Sequence, residues 1–335
     1  MFPENPNSTG GPGTFQNLIT KCMIGSGFTV LPGGSDEKAD LVFIVGGTKK
    51  LGWIKRHKRK GAKVLHRLDG LKWRHWVEKT PLKYKILFML QNRMTSYIRS
   101  NFADVIVYQS QFVKDWWNEQ YGKIEAYSEI IPNGTDLDHF KPSENEAKAR
   151  VPTLVCFEGN IDFDEPTVFT LREIGKSLVS KGFLKEVLIW GNVKDKQRNK
   201  LNDFPGIRLM GGCKHSEVAE NMRKGDIFLS LDVNAACPNS VIEAMASGLP
   251  IVGFQTGALN ELVCSSAGEL SSYGSDPWKL EKPDAHQLVT AIKNVLLDLE
   301  NKKLNARKIA EERFGMHSLA NNYIETVRVV MNSTG

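Results

Sequence analysis

The sequence contains no apolar run near the ~18–20 residues of a membrane-spanning helix. Its apolar runs, such as Leu41–Val45 and Ile86–Leu90, are far shorter. It has few cysteines: five (Cys22, Cys156, Cys213, Cys237, Cys264), an odd number, scattered and without metal-ligand spacing. That pattern argues against a disulfide framework or a zinc module and fits a reduced compartment. The opening, MFPENPNSTGGPG, is polar and turn-rich and lacks the apolar stretch of a signal peptide. No short-period repeat or low-complexity tract is present, which excludes solenoids. Acidic residues are scarce at one end: residues 1–100 hold 6 Asp/Glu against 18 Lys/Arg, and the remainder hold 32 against 26. The first part is therefore expected to face something anionic.

Within 335 residues, 41% are hydrophobic and 24% charged, as in soluble globular chains. The length suits two domains of about 150 residues. Short apolar strands alternate with helical stretches. Strands are expected at Leu41–Val45, Lys63–His66 and Asp104–Tyr108, and again from Thr153–Phe157 through Val187–Trp190, Ile207–Met210, Ile227–Leu231 and Ile251–Gly253. Such alternation predicts parallel, doubly wound sheets. The polar, proline-flanked stretch Lys141–Pro152 marks a linker. The expected domains are 1–142 and 143–335, with the C-terminal helix around His317–Met331 crossing back to the first. The first domain lacks an obvious strand ahead of its glycine-rich turn, so that strand is either very short or lost.

Three segments carry chemistry. Ser8-Thr-Gly-Gly-Pro-Gly-Thr-Phe15 is a glycine-rich turn opening a helix, where free backbone N–H groups attract phosphate. Ile131-Pro-Asn-Gly-Thr-Asp-Leu-Asp-His-Phe-Lys-Pro142 follows a strand–helix unit. Cys237-Pro-Asn-Ser-Val-Ile-Glu-Ala-Met-Ala-Ser-Gly-Leu-Pro250 is a loop that opens a helix, with Glu243 one turn in. Each alone is compatible with an ordinary turn or loop–helix unit. In their order and spacing they resemble the retaining glycosyltransferases of family 4, over nearly the whole chain. The resemblance implies the GT-B fold: an α/β architecture of two facing Rossmann-like domains with a cleft between them.

It also implies a nucleotide-sugar donor on the C-terminal domain, a saccharide or lipid-linked acceptor on the N-terminal domain, and no required cofactor or metal. By position, Gly10 and Gly11 match the family's N-terminal glycine pair. Glu243 falls where a ribose-binding glutamate lies. Asn239, Ser240 and Val241 fall at the diphosphate, and Gly211, Gly212 and Cys213 near the base. His66-Arg-Leu-Asp-Gly70 follows a strand, so Arg67 and Asp69 are candidate catalytic residues toward the acceptor or the transferred sugar; His66 itself reads as a core histidine.

Two departures stand out. The family's first donor glutamate would lie eight residues before Glu243, where this chain has Ala235. The family's Arg/Lys pair at the start of the second domain is replaced by Phe157-Glu-Gly-Asn-Ile-Asp-Phe-Asp-Glu165, with Asn160 in the arginine place. A leaving diphosphate needs positive charge, which Arg67, Lys214 or the basic N-terminal surface would have to supply. The alternative is a non-catalytic GT-B relative that binds a glycan or a partner. Asp162 and Asp164 have the Asp-x-Asp spacing of metal-dependent transferases, a common spacing in surface loops. The run Lys49–Lys63 has eight Lys/Arg, no acid, and Trp53 and Ile54 inside it. It reads either as a solvated helix face or as a contact with an anionic membrane. No nucleic-acid fold signature accompanies it, and none is expected as a partner. The expected location is cytoplasmic, peripheral at a membrane.

Overall fold

The computed structural model describes residues 1–5, 11–143, 150–161, 165–193, 201 and 204–332. Gly10, the Asp162/Asp164 pair and half of the expected linker (residues 144–149) lie outside them. The chain divides into two compact units, Met1–Pro132 with His317–Gly335, and Asn133–Met316.

The first unit is built on four parallel strands in the order β1-β2-β3-β4. These are β1 (Leu41–Val45), β2 (Lys63–Leu68), β3 (Val105–Tyr108) and β4 (Tyr127–Ile130). Helices α1 (Gly11–Gly25), α2 (Leu51–Arg59), α3 (Leu82–Asn101) and α4 (Gln111–Tyr121) alternate with them. The period-2 pattern of β1 feeds two cores. Phe43 packs with Phe15, Ile19, Leu65 and Tyr323, whereas Val42 and Ile44 pack with Trp53, Ile54, Val64 and Ile98. Among the described residues no strand precedes α1, and the first residue instead hydrogen-bonds along β1. Met1 donates its amine to Leu41 O at 2.8 Å, and Phe43 N donates to Met1 O at 2.9 Å.

The second unit carries six parallel strands in the order β10-β9-β8-β5-β6-β7. Its strands are β5 (Thr153–Ile161), β6 (Glu186–Val193), β7 (Ile207–Gly211), β8 (Ile227–Leu229), β9 (Ile251–Phe254) and β10 (Gly268–Ser271). Helix α5 (Glu165–Ile174) follows β5, and α6 (His215–Met222) and α7 (Asn239–Ala246) follow β7 and β8. Beyond them come α8 (Leu259–Leu262), α9 (Ala285–Leu297), α10 (Leu299–Arg313) and α11 (Met316–Asn332), the last returning to the first unit from His317 on. One sheet face packs Val155, Leu188 and Phe228 on α6, α7 and α10; the other packs Leu154, Ile189 and Leu229 with α5 and α9. Strand β5 lies between β6 and β8, so the winding direction reverses there. Ligands of open α/β sheets bind at that reversal, beyond the carboxyl ends of the strands.

The division falls before residue 133, ahead of the expected boundary at 142/143. Asn133–Pro142 belongs to the second unit because its polar groups and its one large ring are satisfied there. Asn133 Nδ2 donates to Cys237 O at 3.0 Å, Arg307 Nη1 donates to Leu137 O and Phe140 O, and the Phe140 ring is in the core.

The amphipathic reading of Lys49–Lys63 is corrected in one respect. Trp53, Ile54 and His57 of α2 are buried, and Trp53 Nε1 donates to Ser35 O at 2.9 Å. The aromatic that suggested a membrane contact instead anchors α2 to the sheet. Several of its cations are engaged within the unit: Arg56 with Asp36, Lys58 with Asp104, and Lys60 with Asp36 O.

Candidate functional site

A cavity of about 450 Å³ opens in the second unit where the reversal places it. Its floor comes from the ends of β5 and β6, where Phe157 and Trp190 are register partners and their rings stack at 4.5 Å, 4° from parallel. Glu158 and Asn192 continue those strands into the lining. Beyond β7 the backbone turns through Gly211 at φ +82, which favours glycine. At Gly212 a Cβ would lie 2.7 Å from Asn192 Oδ1, so a side chain there would displace that amide. Cys213 and Lys214 complete this wall.

The opposite wall is the start of α7, with Ser240 and Glu243 lining the cavity. Pro238 precedes the helix and no side chain caps it. The first N–H groups of a helix have no intrahelical acceptor, and those of Asn239, Ser240 and Val241 are the orphans here. Such a helix start carries partial positive charge and receives anions. Val241 is fully buried and holds the helix in the core. Glu243 is mostly shielded, at 13% side-chain exposure, and its Oε1 lies 3.5 Å from His215 Nε2. The hydrogen bond to Glu243 raises the His215 pKa above its ordinary 6.5. Lys214 is the one Lys or Arg lining this cavity among the described residues.

The loop entering α7 carries Ala235 at the position where the resemblance implies a glutamate. Ala235 is 7% exposed, its carbonyl accepts from Ala258 N at 2.8 Å, and a Cβ on Gly257 would lie 2.5 Å from its N and O. Its neighbour Asn234 is held left-handed at φ 56. This loop packs its Ala235 backbone tightly against Gly257 and carries a methyl group where the resemblance implies a carboxylate.

Arg67 and Asp69 belong to the first unit. Arg67 Nη1 donates to Asp69 Oδ1 at 2.6 Å, and its guanidinium lies 4.0 Å over the Phe15 ring. Gln109 Nε2 also donates to Asp69 Oδ1 at 2.6 Å, and Trp117 Nε1 donates to Asp69 O at 2.9 Å. Arg67 has 4% side-chain exposure and Asp69 37%, so the carboxylate is the accessible member of the pair. Beside them His66 is fully buried. Its Nε2 bonds Gly46 O at 2.7 Å, Nδ1 has no partner, and burial lowers its pKa to about 4. It is a neutral core histidine. Gly11 opens α1.

The sequence placed Gly211, Gly212, Cys213, Asn239, Ser240, Val241 and Glu243 by analogy, and all of them except Gly211, Asn239 and Val241 line the cavity. It did not single out Glu158, Trp190, Gly191 or Asn192 as site residues. Their signal was available: they terminate strands read as buried, and strand ends in doubly wound sheets are where ligands sit.

With this geometry in place, comparison with known proteins is informative. Residues 152–298 match the family model of glycosyl transferases group 1. The matched span contains the cavity and most of the second unit. The phosphatidylinositol N-acetylglucosaminyltransferase gpi3 subunit of Schizosaccharomyces pombe is 19% identical over 193 residues, 56% of this chain. The match spans 40% of that relative's length. Sucrose-phosphate synthase from Thermosynechococcus elongatus superposes with a TM-score of 0.73 at 15% identity, over 99% of this chain and 96% of that one. Anabaena HepE, solved with UDP and glucose, gives 0.62 at 15% identity, over 95% and 82%. The two parallel-sheet α/β units thus match glycosyltransferase structures of the GT-B fold, and residues 152–298 are similar to the glycosyl transferases group 1.

Proposed function

We propose that the chain is a nucleotide-sugar-dependent glycosyltransferase of the retaining class, acting on a saccharide or lipid-linked acceptor. The observation that carries this reading is the convergence, in one cavity, of an uncapped helix start, a shielded carboxylate and a lysine. The N–H groups of Asn239, Ser240 and Val241 receive the diphosphate, as helix starts do. Glu243 accepts from the ribose hydroxyls. Gly211, Gly212 and Cys213 bound the base. Lys214 supplies the positive charge that the departure at Asn160 removes, because its ammonium is the lysine or arginine charge on this cavity. Cleavage of the sugar–phosphate bond develops negative charge on the leaving diphosphate, and fixed donors stabilise it there. On the first unit, Asp69 faces the acceptor, and Arg67 holds its carboxylate in place. The reading requires no metal.

A second reading is favoured by one observation, the alanine at position 235 in the tightly packed loop entering α7. A transferase scaffold without that carboxylate binds a glycan or nucleotide without turnover. Thermal stabilisation and calorimetry with UDP, GDP, ADP and CMP, followed by turnover of the corresponding sugar donors, separate the two. Transfer reads binding and activity together; saturable nucleotide binding without transfer or hydrolysis gives the second reading. A ligand at 100 times its Kd adds about 2.7 kcal/mol. Absence of stabilisation by every nucleotide and nucleotide-sugar would remove the donor-site assignment. Lys214→Ala should lower affinity for a nucleoside diphosphate more than for the nucleoside.

A further inference from the structure

Helix α3 is buried along only part of its length. Ser96, Ile98 and Arg99, near its C-terminal end, are its buried residues. The preceding half presents large apolar side chains to water. Leu82 is 71% exposed and Leu90 54%, with Ile86 between them at the spacing that puts all three on one stripe. Tyr97 extends the stripe by two turns, and Leu87 flanks it. The short turn before the helix adds Trp76, 59% exposed, and Val77. Single exposed leucines are ordinary; a contiguous cluster of this kind marks a contact surface.

The charge around the patch identifies what it meets. Helix α3 contains no Asp or Glu, and in residues 71–101 the one acid is Glu78, held by Arg74 at 2.5 Å. Lys79, Lys83, Lys85 and Arg93 have no ion pair among the described residues. We infer that this face, Trp76–Val77 and the exposed stripe of α3 with its flanking Lys79, Lys83, Lys85 and Arg93, seats on an anionic lipid surface. Lysine stems lie along apolar surface while their ammonium groups reach outward, the arrangement of an interfacial helix. Trp76 and Tyr97 are the amphipathic rings that occupy the headgroup level. A second copy of the chain is the wrong complement: a two-fold contact would oppose four cations to the same four with no acid to answer them. No described helix is long and apolar enough to cross a membrane, so the contact is with the surface. Helix α2 has more charge but lacks the apolar half, because Trp53 and Ile54 face the core. The inference is independent of the transferase reading.

Sedimentation of the full chain with vesicles of phosphatidylcholine alone, and of phosphatidylcholine mixed with phosphatidylserine, tests it. Binding to the mixed vesicles that is released by high salt is expected, with a blue shift of emission that Trp76→Phe removes. Each basic residue at a bilayer surface is worth about five-fold in partitioning, so Lys83→Gln with Lys85→Gln and Arg93→Gln should lower it on the order of a hundred-fold. Ile86→Glu with Leu90→Glu should also abolish binding, at exposed positions where circular dichroism should stay that of the wild type. Lys55→Gln with Arg59→Gln on α2 should change it far less. Negligible sedimentation of the wild-type chain with both vesicles overturns the inference. So does binding that survives the triple substitution, or a dimer broken by Ile86→Glu with Leu90→Glu in a chain that ignores vesicles. Capture of an acidic protein on this face, without vesicle binding, likewise overturns it.

Discussion

Acid should loosen the first sheet through a single imidazole. His66 is fully buried, its pKa held at about 4 against the ordinary 6.5, with burial the dominant cause. The bond to Gly46 O and the repulsion from Arg99 are smaller. In the unfolded chain His66 protonates as the pH falls through 6.5; in the folded chain it does not until about 4. The unfolded state therefore binds the proton first, so stability is full above 6.5, falls between 6.5 and 4, and levels off below. At 1.36 kcal/mol per unit, the loss across that window is about 3 kcal/mol. A two-unit chain does not unfold in one step, so the readout should be local. Native-state amide exchange along β2, corrected for intrinsic rates, reports the opening free energy of this sheet. Carboxylates titrate in the same range and are removed by comparison with His66→Gln, whose amide keeps a donor for Gly46 O without a proton to gain. The wild type should lose about 3 kcal/mol more protection than the variant between pH 7 and pH 4. Equal losses in both, or a His66 resonance titrating near 6.5, would refute the argument.

At the candidate site, the His215 imidazole should titrate above 6.5 by NMR and return toward it in Glu243→Gln. The ion pair's contribution to stability is present below the unfolded pKa and is lost as pH rises through the elevated folded one. The same Glu243→Gln substitution should weaken nucleotide binding by ~1–3 kcal/mol in calorimetry, if a shielded charge-assisted hydrogen bond to the ribose is lost. Gly257→Ala should destabilise the second unit by ~1–3 kcal/mol in urea, because a left-handed backbone gains a Cβ pressed against Ala235. Arg99→Ala should destabilise the first unit by roughly 3 kcal/mol, measured by exchange in β3. The buried guanidinium now bonds Tyr108 OH, Gly122 O and Asn118 Oδ1, and its loss leaves buried partners unpaired.

Much of this architecture was legible in order. Leu41–Val45 is the strand that its unbroken apolar run indicated, since a strand buried on both faces needs no alternation. Strands β2 and β5 run further than expected, to Leu68 and Ile161, because Arg67 and Asn160 look like strand-ending polar residues. In the sheet, Arg67 is covered by Phe15 and Asp69, distant or non-apolar partners that no local pattern reports. Trp53 in a basic run resembles an interfacial anchor until the fold supplies Ser35 O as its acceptor. Glu243 was readable because motif and helix start coincide. Trp190 was signalled only by its place at a strand end; its stacking on Phe157 comes from the pairing of β5 with β6, which no local pattern reports.

The return of α11 to the first unit has a consequence for synthesis. The second unit is one uninterrupted stretch, Asn133–Met316, whereas the first needs segments from both ends of that stretch. Leu319, Tyr323, Ile324 and Val327 share one core with Phe2, Phe15 and Phe43. On a ribosome emitting the chain from its N-terminus, the sheet made first must wait, with that aromatic surface uncovered, until the final helix emerges. The unit begun second is complete before the unit begun first. A nascent chain halted before α11 presents the Phe43 face to chaperones, and a stop codon there leaves an intact second unit tethered to an unfinished first one.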